Sequence, residues 1–169
     1  MSNNADFTFQ VLNEDWSELK EETIITSKSW TGNDFPEEYK SQLPWFNEIL
    51  WDDELHEYEG YYFRVIRMSW GVWNGYIYIP KSHTLFNKDY KDNPEIEELS
   101  VHGGITYTAS HDDEVYVFGF DTYHIHDFAP DRKCRSFEEF ERGIKNYKNH
   151  EYAVKEAKHL IDDIRKKYP

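Results

Sequence analysis

Residues 61–79 read YYFRVIRMSWGVWNGYIYI, and this stretch of aromatic and β-branched side chains decides the fold class. Such side chains favour strands, because they pack well on a pleated surface. Within the stretch, Asn74-Gly75 is the dipeptide typical of a two-residue hairpin turn. The sequence therefore predicts two antiparallel strands, near 63–73 and at 76–79, joined at Asn74-Gly75.

Further strands are predicted along the chain. Residues 115–120 read VYVFGF, a continuous apolar run typical of a central strand that is buried on both faces. Weaker strand patterns occur at about 97–101 and 105–109. The whole set predicts one antiparallel-rich sheet of about five strands.

Helices are predicted toward both ends of the chain. Near the C-terminus, apolar residues recur at helical spacing behind Asn149, a suitable N-cap. These apolar residues are Ala153, Ala157, Leu160, Ile161 and Ile164. Near the N-terminus, a helical pattern begins after Asp34 and is interrupted by Pro44, which predicts two pieces at about 36–42 and 45–57.

The chain is predicted to be one α+β domain over residues 1–169, with helices packed on the sheet at both chain ends. A length of 169 residues suits a single domain. We expect an acidic, helical N-terminal part at 1–60, a sheet core at 61–130 and a C-terminal helix at 149–168.

The charge of the chain is unevenly distributed. Lys and Arg number 19 against 33 Asp and Glu, a net charge of −14, and residues 1–60 hold 15 acidic and 3 basic residues. Nucleic-acid binding needs an excess of Lys and Arg, so direct binding of nucleic acid is not expected. Two interpretations of the acidic residues stay open: a solvated face that maintains solubility, or a surface that binds a basic protein partner.

Cysteine content and hydropathy limit the cellular compartments in which the protein is expected. Cys134 is the only cysteine, which excludes an internal disulfide and a multi-cysteine zinc site. No apolar run approaches the ~20 residues needed to cross a bilayer. The first residues lack the basic-then-apolar order of a secretory signal. We therefore expect a cytoplasmic protein without a membrane partner.

Two polar segments carry the residues best suited to chemistry. The first is His102-Gly103-Gly104, followed by Thr106, whose hydroxyl can hydrogen-bond a ligand. The second is GFDTYHIHD at 119–127, which begins where the predicted strand 115–120 ends. Residues just past a strand end are held by a rigid scaffold yet are open to solvent. The glycine pair permits positive φ, so its N–H groups can face an anion.

The residue types in these segments permit three interpretations. In the first, His102, Asp121, His124 and Asp127 bind a divalent metal, since imidazole and carboxylate together suit zinc, manganese or iron. In the second, the site is metal-free: one His acts as general base, an Asp orients it, and the two glycine amides stabilise negative charge. In the third, the histidines only close turns at a strand end.

The sequence also resembles a known family through a set of motifs within residues 72–130. The motifs are GYIYIPKSH at 75–83, VHGGITY at 101–107 and GFDTYHIHD at 119–127. They are similar to the patterns G-Y-x-x-x-P-x-x-H, V-H-G-G-L-T and G-F-D-x-x-H-x-x-D of a family of small uncharacterised proteins. That family occurs in bacteriophages, prophages and some bacteria, and its C-terminal helix is of similar type.

The resemblance implies which positions matter, but it implies no settled activity. The implied positions are His83, His102, Asp121, His124 and Asp127, with His83 as a ligand contact. His126 is peripheral to the pattern. Family members often carry a cysteine directly after the first Asp, where this chain has Thr122, so thiol chemistry is not carried over to it.

Two functional hypotheses follow from the sequence. The first is a phage-type accessory protein whose His/Asp site binds or hydrolyses a small phosphorylated or nucleotide-like ligand, as a metal-dependent or an acid–base hydrolase. The second is a non-enzymatic protein whose acidic, aromatic N-terminal third binds a basic host defence protein and imitates nucleic acid. For both we expect the cytoplasm of a bacterial host. Convergence of the His and Asp side chains in one site would favour the first hypothesis.

Overall fold

The computed structural model describes residues 43–132 and 142–169. Its strands are β1 (His56–Tyr58), β2 (Tyr61–Arg67), β3 (Trp73–Pro80), β4 (Tyr107–Ser110) and β5 (Val115–Phe120), and its helices are α1 (Pro94–Glu97) and α2 (His150–Lys167). The strands form a sheet in the order β1-β2-β3-β5-β4, and every neighbouring pair is antiparallel. The predicted α+β class and five-stranded antiparallel sheet are confirmed.

Helix α2 covers one face of the sheet. Its five apolar positions are buried and share one core with Phe63 of β2 and Ile77 of β3. At its start, the Tyr152 N–H donates to Asn149 Oδ1 at 2.9 Å. The predicted C-terminal helix and its cap are therefore confirmed. No helix in the described part of the chain is long and apolar enough to cross a bilayer.

The turn between β2 and β3 is not at Asn74-Gly75, so that prediction was wrong. Met68 and Val72 close the turn, the Met68 N–H donating to the Val72 carbonyl at 2.8 Å, and Gly71 lies in it with a φ of +94°. Asn74 and Gly75 instead lie within β3. A side chain at Gly75 would collide with the Phe120 ring, since a Cβ there would be 2.2 Å from the Phe120 Cε1 atom. The glycine serves close packing between β3 and β5.

The predicted helix at 45–57 is also absent, and the piece predicted at 36–42 lies outside the described residues. Residues 43–55 form turns and extended chain that lead into β1. Two arginines of β2 bind carbonyls of this segment: Arg67 donates to the Ile49 carbonyl at 2.8 Å and Arg64 to the Asp53 carbonyl at 3.2 Å. These contacts hold the segment against the sheet in a non-helical conformation, which overrides its helical pattern.

The region before β4 differs from the prediction as well. The strand predicted at 97–101 is replaced by α1 and the turn after it, and Pro94 lies in the first turn of that helix. Ile96 and Leu99 are both buried, three residues apart, which is helical rather than strand spacing. The predicted strand at 105–109 corresponds to β4.

Candidate functional site

The His102 cluster, which comprises His102, His124 and Asp127, is built from two turns. Residues 101–104 form a turn in which the Gly104 N–H donates to the Val101 carbonyl at 3.0 Å. The second turn follows β5, where the Asp127 N–H donates to the His124 carbonyl at 2.9 Å. These turns bring two segments together that lie about twenty residues apart in the sequence.

The three side chains of the His102 cluster meet at one carboxylate oxygen. Asp127 Oδ2 lies 2.8 Å from His102 Nε2 and 3.2 Å from His124 Nδ1, and it accepts the His124 backbone N–H at 2.9 Å. The two imidazole centroids are 5.1 Å apart. The predicted convergence of His102, His124 and Asp127 is therefore present.

The electrostatics of this cluster centre on Asp127, whose side chain is only 5% exposed. Burial raises the pKa of Asp127, but hydrogen bonds from His102 and from the His124 backbone N–H outweigh it. The net effect holds the Asp127 pKa below its ordinary value. The carboxylate therefore stays ionised, which suits a metal ligand or a partner of imidazole N–H groups.

Helix α2 orients His102 from the other side. The Tyr152 hydroxyl lies 2.9 Å from His102 Nδ1, and the His102 backbone N–H donates to Glu156 Oε2 at 2.8 Å. With Nε2 facing Asp127 and Nδ1 facing Tyr152, the plane of the His102 ring is fixed. A hydrogen bond on the far nitrogen is the usual support of a metal-binding imidazole.

The glycine pair has a different role from the predicted one. The Gly104 N–H is engaged in the 101–104 turn, so it does not serve as an anion cradle. Gly103 lies directly against the ring of His124: with a φ of +68°, it would place a Cβ 1.9 Å from His124 Nε2. Gly103 therefore makes room for the imidazole.

Asp121 lies beside the cluster at its exposed edge. The Thr106 hydroxyl donates to Asp121 Oδ2 at 2.8 Å, and Asp121 Oδ1 accepts the Tyr123 N–H at 2.9 Å. The same Oδ1 is 3.8 Å from His124 Nδ1. Thr106 thus contacts the site through Asp121, as its neighbour rather than as a separate ligand contact.

His83 and Thr122 lie apart from this group. His83 follows β3, whereas β5 ends opposite Gly75 near the start of β3. The strand rise places those two ends of β3 roughly 17 Å apart. The His83 ring accepts the Leu85 N–H at 3.1 Å, so the implied ligand contact is not part of the cluster. Thr122 is buried and donates to the Trp73 carbonyl at 2.9 Å, which is a structural role.

A cavity of about 200 Å³ adjoins the cluster behind Asp127. It is lined by Ile125, His126, Asp127, Phe128, Arg132, Arg142, Gly143 and Asn146. The two guanidinium groups make it suited to a phosphate or carboxylate group. These arginines could not be associated with the site from the sequence, because they lie outside its motifs.

A second group of the same composition, the Asp52 cluster, comprises Asp52, His56 and His150. Asp52 Oδ2 lies 2.7 Å from His56 Nε2 and 2.6 Å from His150 Nε2. This cluster was not predicted from the sequence, because His150 is distant in sequence and residues 45–57 were predicted as helix. The four-residue spacing of Asp52 and His56 was the one sequence feature that could have indicated this cluster.

Comparisons of the chain with protein-family models, curated proteins and solved structures found no match.

Both clusters have the chemistry of a divalent-metal site. In each, one carboxylate oxygen and two imidazole nitrogens lie within 4.8 Å of one another. Two ligand atoms bound to one zinc ion at about 2.0–2.1 Å are roughly 3.3 Å apart in tetrahedral geometry, and in the His102 cluster the carboxylate oxygen lies 2.8 and 3.2 Å from the two imidazole nitrogens. Three protein ligands leave one position for water or substrate, as in catalytic zinc sites.

Proposed function

We propose that the protein is a metal-dependent hydrolase of a small phosphorylated or nucleotide-like ligand, with the His102 cluster as its metal site. The observation that carries the proposal is the convergence of His102 Nε2, His124 Nδ1 and Asp127 Oδ2 beside an open edge. A divalent ion held there would supply Lewis-acid activation of water and of a phosphoryl oxygen.

The surrounding residues fit supporting roles in this reaction. Tyr152 fixes the ring of His102 through Nδ1. Asp121 is positioned as a proton acceptor, because the Thr106 hydroxyl holds its Oδ2 while its Oδ1 faces the cluster. Arg132 and Arg142 line the adjoining cavity, where they favour an anionic substrate group.

The resemblance to phage and prophage proteins supports a host-cell setting for the proposed activity. Its motifs at 101–107 and 119–127 contain every residue of the His102 cluster. On that basis we extend the proposal to an accessory function of a phage-type protein within the bacterial cytoplasm. The alternative hypothesis, an acidic inhibitor of a host protein, depends mainly on residues outside the described ranges.

The experiment is a hydrolysis screen of the purified chain with phosphomonoesters and nucleotides, in the presence of Zn²⁺, Mn²⁺ or Mg²⁺. His124→Ala is expected to reduce metal-dependent hydrolysis by at least about 10²-fold, because a reacting or ligating group is lost. His111→Gln is the matched control, since His111 lies at the β4–β5 turn, at the opposite end of β5. Equal loss in both variants, or unchanged hydrolysis in His124→Ala, would contradict the proposal.

A further inference from the structure

We propose that the Asp52 cluster is a second divalent-metal site, which fastens residues 48–58 to the start of helix α2. Its three ligand atoms come from two parts of the chain that are far apart in sequence: Asp52 lies just before β1, His56 begins β1, and His150 begins α2. The inference does not require that the His102 cluster bind metal.

The donor atoms of this cluster are already held in position. Both imidazoles present Nε2 to the same oxygen, Asp52 Oδ2, and the other oxygen, Oδ1, accepts the Glu54 N–H at 2.8 Å. The Asp52 side chain is 6% exposed. A site that keeps ligands oriented before the ion arrives loses less conformational freedom on binding.

Aromatic rings of the sheet fix the two imidazoles. The His56 ring stacks on Phe63 with centroids 4.8 Å apart, and the His150 ring packs edge-on against Trp73, also at 4.8 Å. Glu48 supports this arrangement from behind, because its carboxylate accepts both the Trp73 Nε1–H and the His150 backbone N–H. The ring planes therefore cannot turn away from Asp52 without disturbing the core.

The chemistry of the donor set favours zinc or a similar first-row ion. Two imidazoles and one carboxylate match the ligand types of zinc sites, and the carboxylate of Asp52 is almost fully buried, where its attraction to an ion is less screened than in bulk water. An ion bound by both Asp52 and His150 would close a long loop of the chain, because these residues are 98 positions apart. Closing a long loop stabilises the folded state by restricting the unfolded chain.

The two clusters are independent because α2 separates them. His150 belongs to the Asp52 cluster and Tyr152 contacts the His102 cluster, and two positions on a helix are about 200° apart around its axis. The two clusters share no ligand residue, so a substitution in one removes no ligand of the other. Metal counting can assign each bound ion to its cluster.

The first test counts zinc bound by the full chain after chelation and re-addition of Zn²⁺. We expect two equivalents for the unmodified protein and for His111→Gln, and one equivalent each for His150→Gln and His124→Gln. If the proposed hydrolase site binds no metal, the protein will hold one equivalent that His150→Gln removes and His124→Gln retains. Retention of full stoichiometry in a folded His150→Gln protein would overturn the second site.

The second test needs no variant, so it stands even if His150→Gln fails to fold. Amide hydrogen exchange of residues 48–58 is measured in the unmodified protein with saturating Zn²⁺ and with chelator. We expect exchange there to slow by at least about tenfold with Zn²⁺, because the ion ties the segment to α2, while the central strand β5 changes little. Identical exchange of 48–58 in the two conditions would overturn the proposal.

Discussion

The His102 cluster and the Asp52 cluster use the same donors, two imidazoles and a carboxylate, but in different surroundings. The His102 cluster lies on the 101–104 turn and on the loop after β5, with Asp121 and an arginine-lined cavity beside it. The Asp52 cluster lies against Phe63 and Trp73 and above the ion pair of Glu48 with Arg67. The donor set alone does not determine a role, because access for substrate and neighbouring polar groups separate a reactive site from a structural one.

Among these variants, Gly103→Ala is expected to cause the largest loss of zinc affinity at the His102 cluster. Gly104→Ala is its matched control. Both glycines have positive φ, so both substitutions carry a similar backbone strain of about 1–2 kcal/mol. Only at Gly103 does the new methyl group collide with His124, whereas among the described residues nothing lies within 4 Å of a Cβ at Gly104. Zinc affinity of the His102 cluster should fall roughly 10–100-fold more in Gly103→Ala, measured by competition with a chelator. Equal affinities would show that the His124 ring is not placed by Gly103.

Tyr152→Phe is expected to have an intermediate effect, confined to one cluster. It removes the hydroxyl at His102 Nδ1 while keeping the ring, and loss of such a partner typically lowers metal affinity or activity by roughly 10-fold or more. Tyr58→Phe serves as control, because the Tyr58 hydroxyl donates to Asp162 and contacts neither cluster. If titration shows that Tyr152→Phe weakens zinc at the Asp52 cluster instead, the separation of the two sites by α2 is wrong.

The stability of the metal-free protein at low pH is expected to depend more on the carboxylate of Asp52 than on that of Asp127. Burial raises the pKa of Asp52, but hydrogen bonds from His150 and His56 outweigh it and hold the pKa well below its ordinary value of 3.8. Because the folded pKa is depressed, the stabilisation is complete above about pH 4 and is lost as the pH falls toward the folded pKa.

The Asp127 pKa is also lowered, so both carboxylates contribute to stability above about pH 4. With chelator present, we expect Asp52→Asn to flatten the fall in unfolding free energy below pH 4 by on the order of 1 kcal/mol. Asp127→Asn should flatten it less. Denaturant unfolding at a series of pH values measures the free energy of unfolding. A larger effect of Asp127→Asn than of Asp52→Asn would contradict this prediction.

Exposed acidic residues near the Asp52 cluster should contribute least to the free energy of unfolding and to hydrolysis. Asp53 and Glu57 are exposed, whereas Asp52 is buried. Asp53→Asn with Glu57→Gln should change unfolding free energy by less than about 0.5 kcal/mol and leave hydrolysis intact. Loss of a biological effect in this double variant, with His124→Ala unaffected, would instead support the acidic inhibitor.

The sequence predicted those elements whose cause is local. The run at 115–120 and the cap at Asn149 each form as expected, because apolar pattern and capping act over a few residues. The His102 cluster was predictable because the apolar run of β5 marks the start of the 119–127 segment, and the glycine pair marks the turn that carries His102. Asp121 was correctly placed beside it, since it directly follows β5.

The remaining features depend on contacts between distant residues. Gly75 looked like a turn residue, and only the Phe120 ring packed over it explains why it lies within a strand. The segment after Pro44 has a helical pattern, yet Arg64 and Arg67 hold its carbonyls against the sheet. The Asp52 cluster requires that same extended segment to meet α2, which no local pattern encodes.

The most direct test of the central claim is anomalous diffraction at the zinc edge from crystals of the full chain grown with Zn²⁺. We expect an anomalous peak within about 2.0–2.2 Å of His102 Nε2, His124 Nδ1 and a carboxylate oxygen of Asp127. A His102 cluster without a peak at saturating Zn²⁺, with His102 still hydrogen-bonded to Asp127, would contradict the claim that this cluster is a metal site.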